Sequence, residues 1–64
     1  MENYNRVEKD YIVTCYYLDD KLHRLDGPAI ERAGGYKEWW IEGKEIECNS
    51  QEEFERYLKL KLFW

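Results

Sequence analysis

Apolar and polar positions alternate with a period near two over most of the chain, and change to helical spacing only near its end. Residues 11–18, Tyr-Ile-Val-Thr-Cys-Tyr-Tyr-Leu, are β-branched or aromatic almost throughout, which predicts a strand. Asp19-Asp20 is a polar turn, and Lys21-Leu22-His23-Arg24 returns as a second, short strand. Asp26-Gly27-Pro28 then punctuates the chain, because proline fixes its φ and has no ladder donor. Residues 28–33 form a third extended segment, closed by Gly34-Gly35, a two-residue hairpin signal. Residues 36–42 (Tyr-Lys-Glu-Trp-Trp-Ile-Glu) are the fourth strand, which Gly43-Lys44 turns into Glu45-Ile46-Glu47-Cys48. Residues 1–9 show no repeating apolar pattern and are expected to form a flexible arm.

The pattern changes at Asn49. Ser50, followed three residues later by Glu53, is a capping-box signature. Glu52, Glu53 and Glu55 sit where a helix dipole is positive, Lys59 and Lys61 where it is negative. Phe54, Tyr57, Leu58 and Leu62 make one apolar stripe. Residues 50–62 are therefore a helix with its tail, although the alternation over 59–64 also allows an extended finish. The expected fold is α+β: a twisted antiparallel β-meander of four to five strands over residues 10–48, with one C-terminal helix packed on one face.

Sixty-four residues make a single domain, 1–64, whose stability depends on a small core. An aromatic content of 17% argues against disorder. The net charge of −4 disfavours direct nucleic-acid binding, which needs a basic footprint. No stretch has the length and apolarity of a membrane span, and the first residues lack the apolar core of a secretory signal. The two cysteines, Cys15 and Cys48, are too few and too far apart for a disulfide framework or a zinc site, so they read as reduced, mostly buried small hydrophobes. A bridge stays possible if their strands are neighbours.

Strand parity assigns faces. With two central residues in the turn at Gly43, Trp39, Ile41, Ile46 and Cys48 share one face, the bed for the helix. Tyr36, Glu38, Trp40, Glu42, Glu45 and Glu47 share the other. The Gly34-Gly35 hairpin adds Ile30 to the first set and Glu31 to the second. Like charges on neighbouring strands repel, so glutamates gathered round an exposed tryptophan suggest a surface kept for contact with a basic partner. The plainer alternative is a solvated face, charged for solubility. A three-residue loop at Gly43 would exchange the faces.

Chemistry is sparse. The lone histidine, His23, has no nucleophile beside it in sequence, and the expectation is that it joins Arg24, Asp26, Gly27 and Pro28 in a structural turn. Gly34-Gly35 precedes a strand rather than a helix, so it is not a phosphate loop. No catalytic set, metal site or cofactor is expected, and the domain reads as non-enzymatic.

Two sequence relationships remain. Tyr16-Tyr17-Leu18-Asp19-Asp20-Lys21 is echoed 23 residues on by Trp39-Trp40-Ile41-Glu42-Gly43-Lys44, which implies that the two hairpins bury equivalent positions. The string His23-Arg24-Leu25-Asp26-Gly27-Pro28-Ala29 resembles the HRxDGPA repeat of small phage and bacterial proteins, a MORN-like hairpin style. Gly34-Gly35, Trp39-Trp40, Gly43-Lys44 and the stretch from Ser50 to Phe54 continue the likeness, and Glu45-Ile46-Glu47 departs from it where a second His-Arg would stand. The resemblance implies a phage-type protein of the host bacterial cytoplasm, an anti-defence, anti-CRISPR-like inhibitor, and the acidic face read from the alternation suits docking on a basic, nucleic-acid-handling host protein. Two other readings stay open. One is an oligomeric binder of signalling nucleotides, in which aromatics stack the base and Arg24, Arg32 or Lys37 meets the phosphate. The other is an antitoxin or immunity partner. The apolar tail Leu60, Leu62, Phe63 and Trp64 is a candidate homodimer patch.

Overall fold

The computed structural model describes residues 2–62. Six strands and one helix follow in order: β1 (Arg6–Lys9), β2 (Val13–Leu18), β3 (Lys21–Leu22), β4 (Ile30–Arg32), β5 (Lys37–Ile41), β6 (Lys44–Ile46) and α1 (Gln51–Leu62). All pairings are antiparallel and the sheet order is β1-β2-β4-β5-β6, with β3 paired to the far end of β2. The architecture is the expected α+β meander with its C-terminal helix.

The amino-terminal segment departs from expectation. The supposed arm contains β1, which runs in register along β2 from Arg6↔Tyr17 to Lys9↔Thr14. The residues before it are tied down as well. The Glu2 carbonyl meets His23 Nε2 at 2.8 Å, Asn3 Oδ1 accepts from the Leu25 amide, and the Tyr4 ring packs edge-on against Tyr16 with centroids 4.7 Å apart. All four β1 residues are exposed, as suits a charged edge strand that discourages pairing with other chains.

The echoed segments are two hairpins of one design. Leu18 pairs with Lys21 around Asp19-Asp20, and Ile41 with Lys44 around Glu42-Gly43. All four central residues have positive φ (51°, 68°, 49° and 84°), the geometry that matches the twist of the flanking strands. The equivalence extends further: the His23 amide bonds the Tyr16 carbonyl, and Ile46 pairs with Trp39. His23 is thus the counterpart of Ile46, and both are buried. The hairpins touch, since the Gly43 amide donates to the Leu22 carbonyl at 2.8 Å.

The turn at Gly34-Gly35 has three residues, not two. Arg32 N–H bonds the Tyr36 carbonyl, and the register is Ile30↔Glu38 and Glu31↔Lys37. This one-residue difference exchanges Ile30 and Glu31 between faces. Ile30 shares the face of Glu38 and Trp40, opposite Cys15, and takes no part in the helix-side cluster. Glu31 lies on the Trp39 face, where Tyr16 Oη and the Arg24 guanidinium satisfy it at 3.2 and 3.4 Å.

Trp39, Ile46 and Phe54 form the core under α1, with Ile41, Cys48, Tyr57 and Leu58 packed around them. Side chains of this size contribute about 1.5–3 kcal/mol each when buried. Ser50 Oγ accepts from the Glu53 amide, while Glu53 Oε1 accepts from Asn49 rather than from Ser50 itself, so the box closes one residue early. Gln51 fastens the helix: its Oε1 accepts the Trp39 indole N–H at 2.8 Å and its Nε2 donates to the Leu25 carbonyl at 3.3 Å. The helix continues to Leu62, so residues 59–62 are not an extended tail. Both cysteines are free and half-buried. By register Cys15 lies on the Trp40 face, whereas Cys48 packs on the helix side.

Candidate functional site

The motif residues His23, Arg24, Asp26, Gly27 and Pro28 build a knot inside the molecule. His23 is fully buried. Its Nδ1 accepts the Glu42 amide at 3.0 Å, so its Nε2 carries the proton and donates to Glu2. The ring therefore joins the amino-terminal segment, the 23–26 loop and the second hairpin. Arg24 stacks on the Tyr16 ring at 3.9 Å, donates to Asp26 at 2.8 Å and to the Pro28 carbonyl at 3.3 Å, and reaches Glu31. Hydrogen bonds from Arg24 and from Asn3 hold the Asp26 carboxyl below the usual range. Gly27 leaves room for Arg24: a Cβ there would stand 2.6 Å from Arg24 Cζ, so the guanidinium would have to move. The side chains of His23, Arg24 and Asp26 each find partners within the chain.

The predicted acidic face is only partly assembled. Glu38, Trp40 and Glu45 share one face through the pairings Ile30↔Glu38 and Trp40↔Glu45. Trp40, expected to look to water, is half-buried, and its indole N–H donates to Glu38 Oε1 at 3.1 Å. Glu38 is also approached by Arg32 at 3.7 Å and is only 17% exposed. Glu31 belongs to the opposite face with Arg24. Glu42 sits in the second hairpin turn at φ 49°.

What the fold does gather is a groove. The ladder between β5 and β6 stops at Trp39↔Ile46, and the chain after Ile46 diverges from β5. An open groove of about 790 Å³ lies in the gap, walled by Tyr36, Lys37 and Glu38 on one side and Glu45, Glu47 and Cys48 on the other, with Trp39 and Glu53 also lining it. Four carboxylates face one lysine. Glu38 is balanced by Arg32, and Glu53 caps the helix, but Glu45 and Glu47 are exposed and make no ion pair among the described residues. Tyr36 is 62% exposed at the rim. Burial, and secondarily the charge of Glu53, pushes the Cys48 thiol up, so its neutral form is favoured beside the groove.

Tyr36, Glu38, Glu45 and Glu47 are therefore brought together, while Trp40, Glu31 and Glu42 are not part of the lining. Sequence reasoning missed Glu53 and Lys37 as neighbours of this set. Glu53 carried a signal only as a cap, and its approach to the strands depends on how the 47–49 segment returns. Of the three cations considered for a phosphate, Arg24 and Arg32 are engaged internally, and only Lys37 lines the groove. Leu60 is 57% exposed on α1. Its proposed dimer companions, the Leu62 side chain, Phe63 and Trp64, lie outside the described residues.

Among the described residues no group of three or more His, Cys, Asp or Glu side chains is arranged to hold a metal ion, and no helix is long and apolar enough to cross a membrane. Compared with known proteins, the chain matches no family model, no curated protein and no solved structure.

Proposed function

We propose that this domain is a non-enzymatic protein-interaction module that receives a basic segment of a partner protein in the groove between β5 and residues 47–49. The supporting observation is the pair Glu45 and Glu47, exposed and without an ion pair among the described residues, beside the aromatic rim of Tyr36. An uncompensated carboxylate pair steers basic groups toward it. The resemblance carried by His23 to Ala29 extends the proposal to a phage-type inhibitor, and the acidic groove to a target with a basic, nucleic-acid-handling surface. An antitoxin role would use the same surface on a different target. A phosphate-bearing ligand fits less well, because the carboxylates outnumber Lys37.

An oligolysine peptide titrated into isotope-labelled protein tests the groove. The amides of residues 36–38 and 45–48 should shift, the response should weaken with salt, and the double variant Glu45→Lys/Glu47→Lys should abolish it. Equal binding by that variant overturns the assignment. Trp40→Ala and Glu38→Lys are poorer probes, since both side chains are half-buried and bonded to each other.

A further inference from the structure

We propose that Tyr11 and Ile12, at the tip of the β1–β2 connection, are an apolar anchor that inserts into a cleft on the same basic protein partner; this rests on the groove reading above. Tyr11 is 102% exposed and Ile12 67%. Both occupy the centre of a two-residue turn, closed by Asp10 N–H donating to the Val13 carbonyl at 3.0 Å. Such positions favour Gly, Asn and Asp. The other two-residue turns of this molecule, Asp19-Asp20 and Glu42-Gly43, have positive φ at both central positions, whereas the Tyr11-Ile12 turn has no positive φ at all. Two bulky apolar side chains thus stand exposed at a turn tip, and Tyr11 packs against nothing within the chain.

The backbone of the tip is nonetheless tied down by hydrogen bonds. Asp10 Oδ1 accepts from both Ile12 N–H at 2.8 Å and Val13 N–H at 2.9 Å, and these two bonds also hold the Asp10 carboxyl below its usual range. The Ile12 carbonyl accepts the Ala33 amide at 2.7 Å, fixing the tip to the β4–β5 turn. Gly35 and Tyr36, next along that turn, line the groove. Anchor and groove therefore adjoin. An exposed aromatic–aliphatic pair carried on a backbone already held by hydrogen bonds loses less backbone entropy on docking, which favours binding. A protein cleft suits the pair better than a bilayer, because Asp10 and the carboxylates of the groove would be repelled by an anionic membrane surface.

Two synthetic probes of equal length separate anchor from groove: oligolysine, and a peptide alternating leucine with lysine. The leucine–lysine peptide should shift the amides of residues 10–13 together with those of the groove. Tyr11→Ser/Ile12→Ser should weaken that peptide by roughly tenfold or more while changing oligolysine affinity by less than about twofold. Tyr11→Asn/Ile12→Gly, which supplies good turn residues, should do the same with the thermal transition retained, so that loss of binding is not loss of fold. If neither variant weakens the leucine–lysine peptide, the anchor is overturned and the groove stands. If neither peptide binds the wild-type protein, the groove reading fails and takes the anchor with it. Retention of the wild-type protein on anionic phospholipid vesicles, lost in the serine variant, would make the tip a membrane contact and overturn the proposal.

Discussion

Replacing His23 by isoleucine, the residue at the equivalent place in the second hairpin, isolates what its hydrogen bonds contribute. Isoleucine fills most of the space of the ring, and the same site in the other hairpin is apolar and buried. Packing is thereby kept while the Glu42 amide and the Glu2 carbonyl lose their shared partner. Leaving one such group unpaired costs about 1–3 kcal/mol, at the low end where water can reach it. Both groups belong to exposed residues, so the expected loss for His23→Ile is about 1–2 kcal/mol. His23→Ala adds the cavity of a fully buried ring and should cost about 3–4 kcal/mol. A chain of this length has roughly 3–10 kcal/mol in all. The alanine variant should therefore be partly unfolded at room temperature, or lower Tm by roughly 12–30 °C. Thermal and urea denaturation followed by circular dichroism measures both losses. Amide exchange adds a local readout: Glu42 N–H, protected by His23 Nδ1, should exchange freely in the isoleucine variant. An isoleucine variant that melts within about 2 °C of the wild type, with the Glu42 amide still protected, would refute this role for the ring.

Gly27→Ala should destabilise the domain by about 2 kcal/mol, because the new methyl group displaces the Arg24 guanidinium from Asp26, Glu31 and the Tyr16 ring. In an Arg24→Ala background the same substitution should cost no more than about 0.5 kcal/mol, and additive losses in the double variant would contradict the steric account. Asp26 titrates lower when folded than when unfolded, so the unfolded chain takes up its proton first as the pH falls. Its contribution is complete at neutral pH and fades below about pH 5, and Asp26→Asn should flatten that acid limb of the stability curve. An unchanged acid limb would show that the Arg24–Asp26 contact does not couple to folding.

Much of the fold was legible because the signals were local. A two-residue turn at Gly43 separates Trp39 from Trp40 by parity, and that parity holds, although the central residues are Glu42 and Gly43 rather than Gly43 and Lys44, with Glu42 itself at φ 49°. The helix start at Ser50 and the stripe of Phe54, Tyr57 and Leu58 follow in the same way. β1 was not legible, because an edge strand of Arg-Val-Glu-Lys carries no apolar alternation, and its order comes from pairing with β2 and from contacts at His23, Leu25 and Tyr16. The Gly34-Gly35 turn misled for a different reason. Both glycines do have positive φ, at 92° and 90°, but Ala33 joins them in the loop. The longer loop lets Glu31 reach Arg24 and Tyr16, partners contributed from segments before it in sequence. No local rule contains that information, and the composition of the acidic face changed with it.

The division of labour between motif and surface bears on where function should be sought. The His-Arg-x-Asp-Gly-Pro-Ala string is the most recognisable part of the chain, yet its side chains are consumed internally: His23 by two backbone groups, Arg24 by two carboxylates, a carbonyl and a ring, and Gly27 by the space that Arg24 needs. Substitution there would act through stability, and any loss of binding that accompanied it would say nothing about contact. Tyr11, Ile12, Tyr36, Glu45 and Glu47 are the converse: large or charged, exposed, and without a role in the core. Their replacement should leave Tm nearly unchanged. A set of variants covering both groups therefore makes a two-axis test, with binding on one axis and stability on the other. Motif variants should move along the stability axis and surface variants along the binding axis. A surface variant that melts early, or a folded motif variant that alone loses the partner, would mean that the division drawn from burial and hydrogen bonding is misplaced.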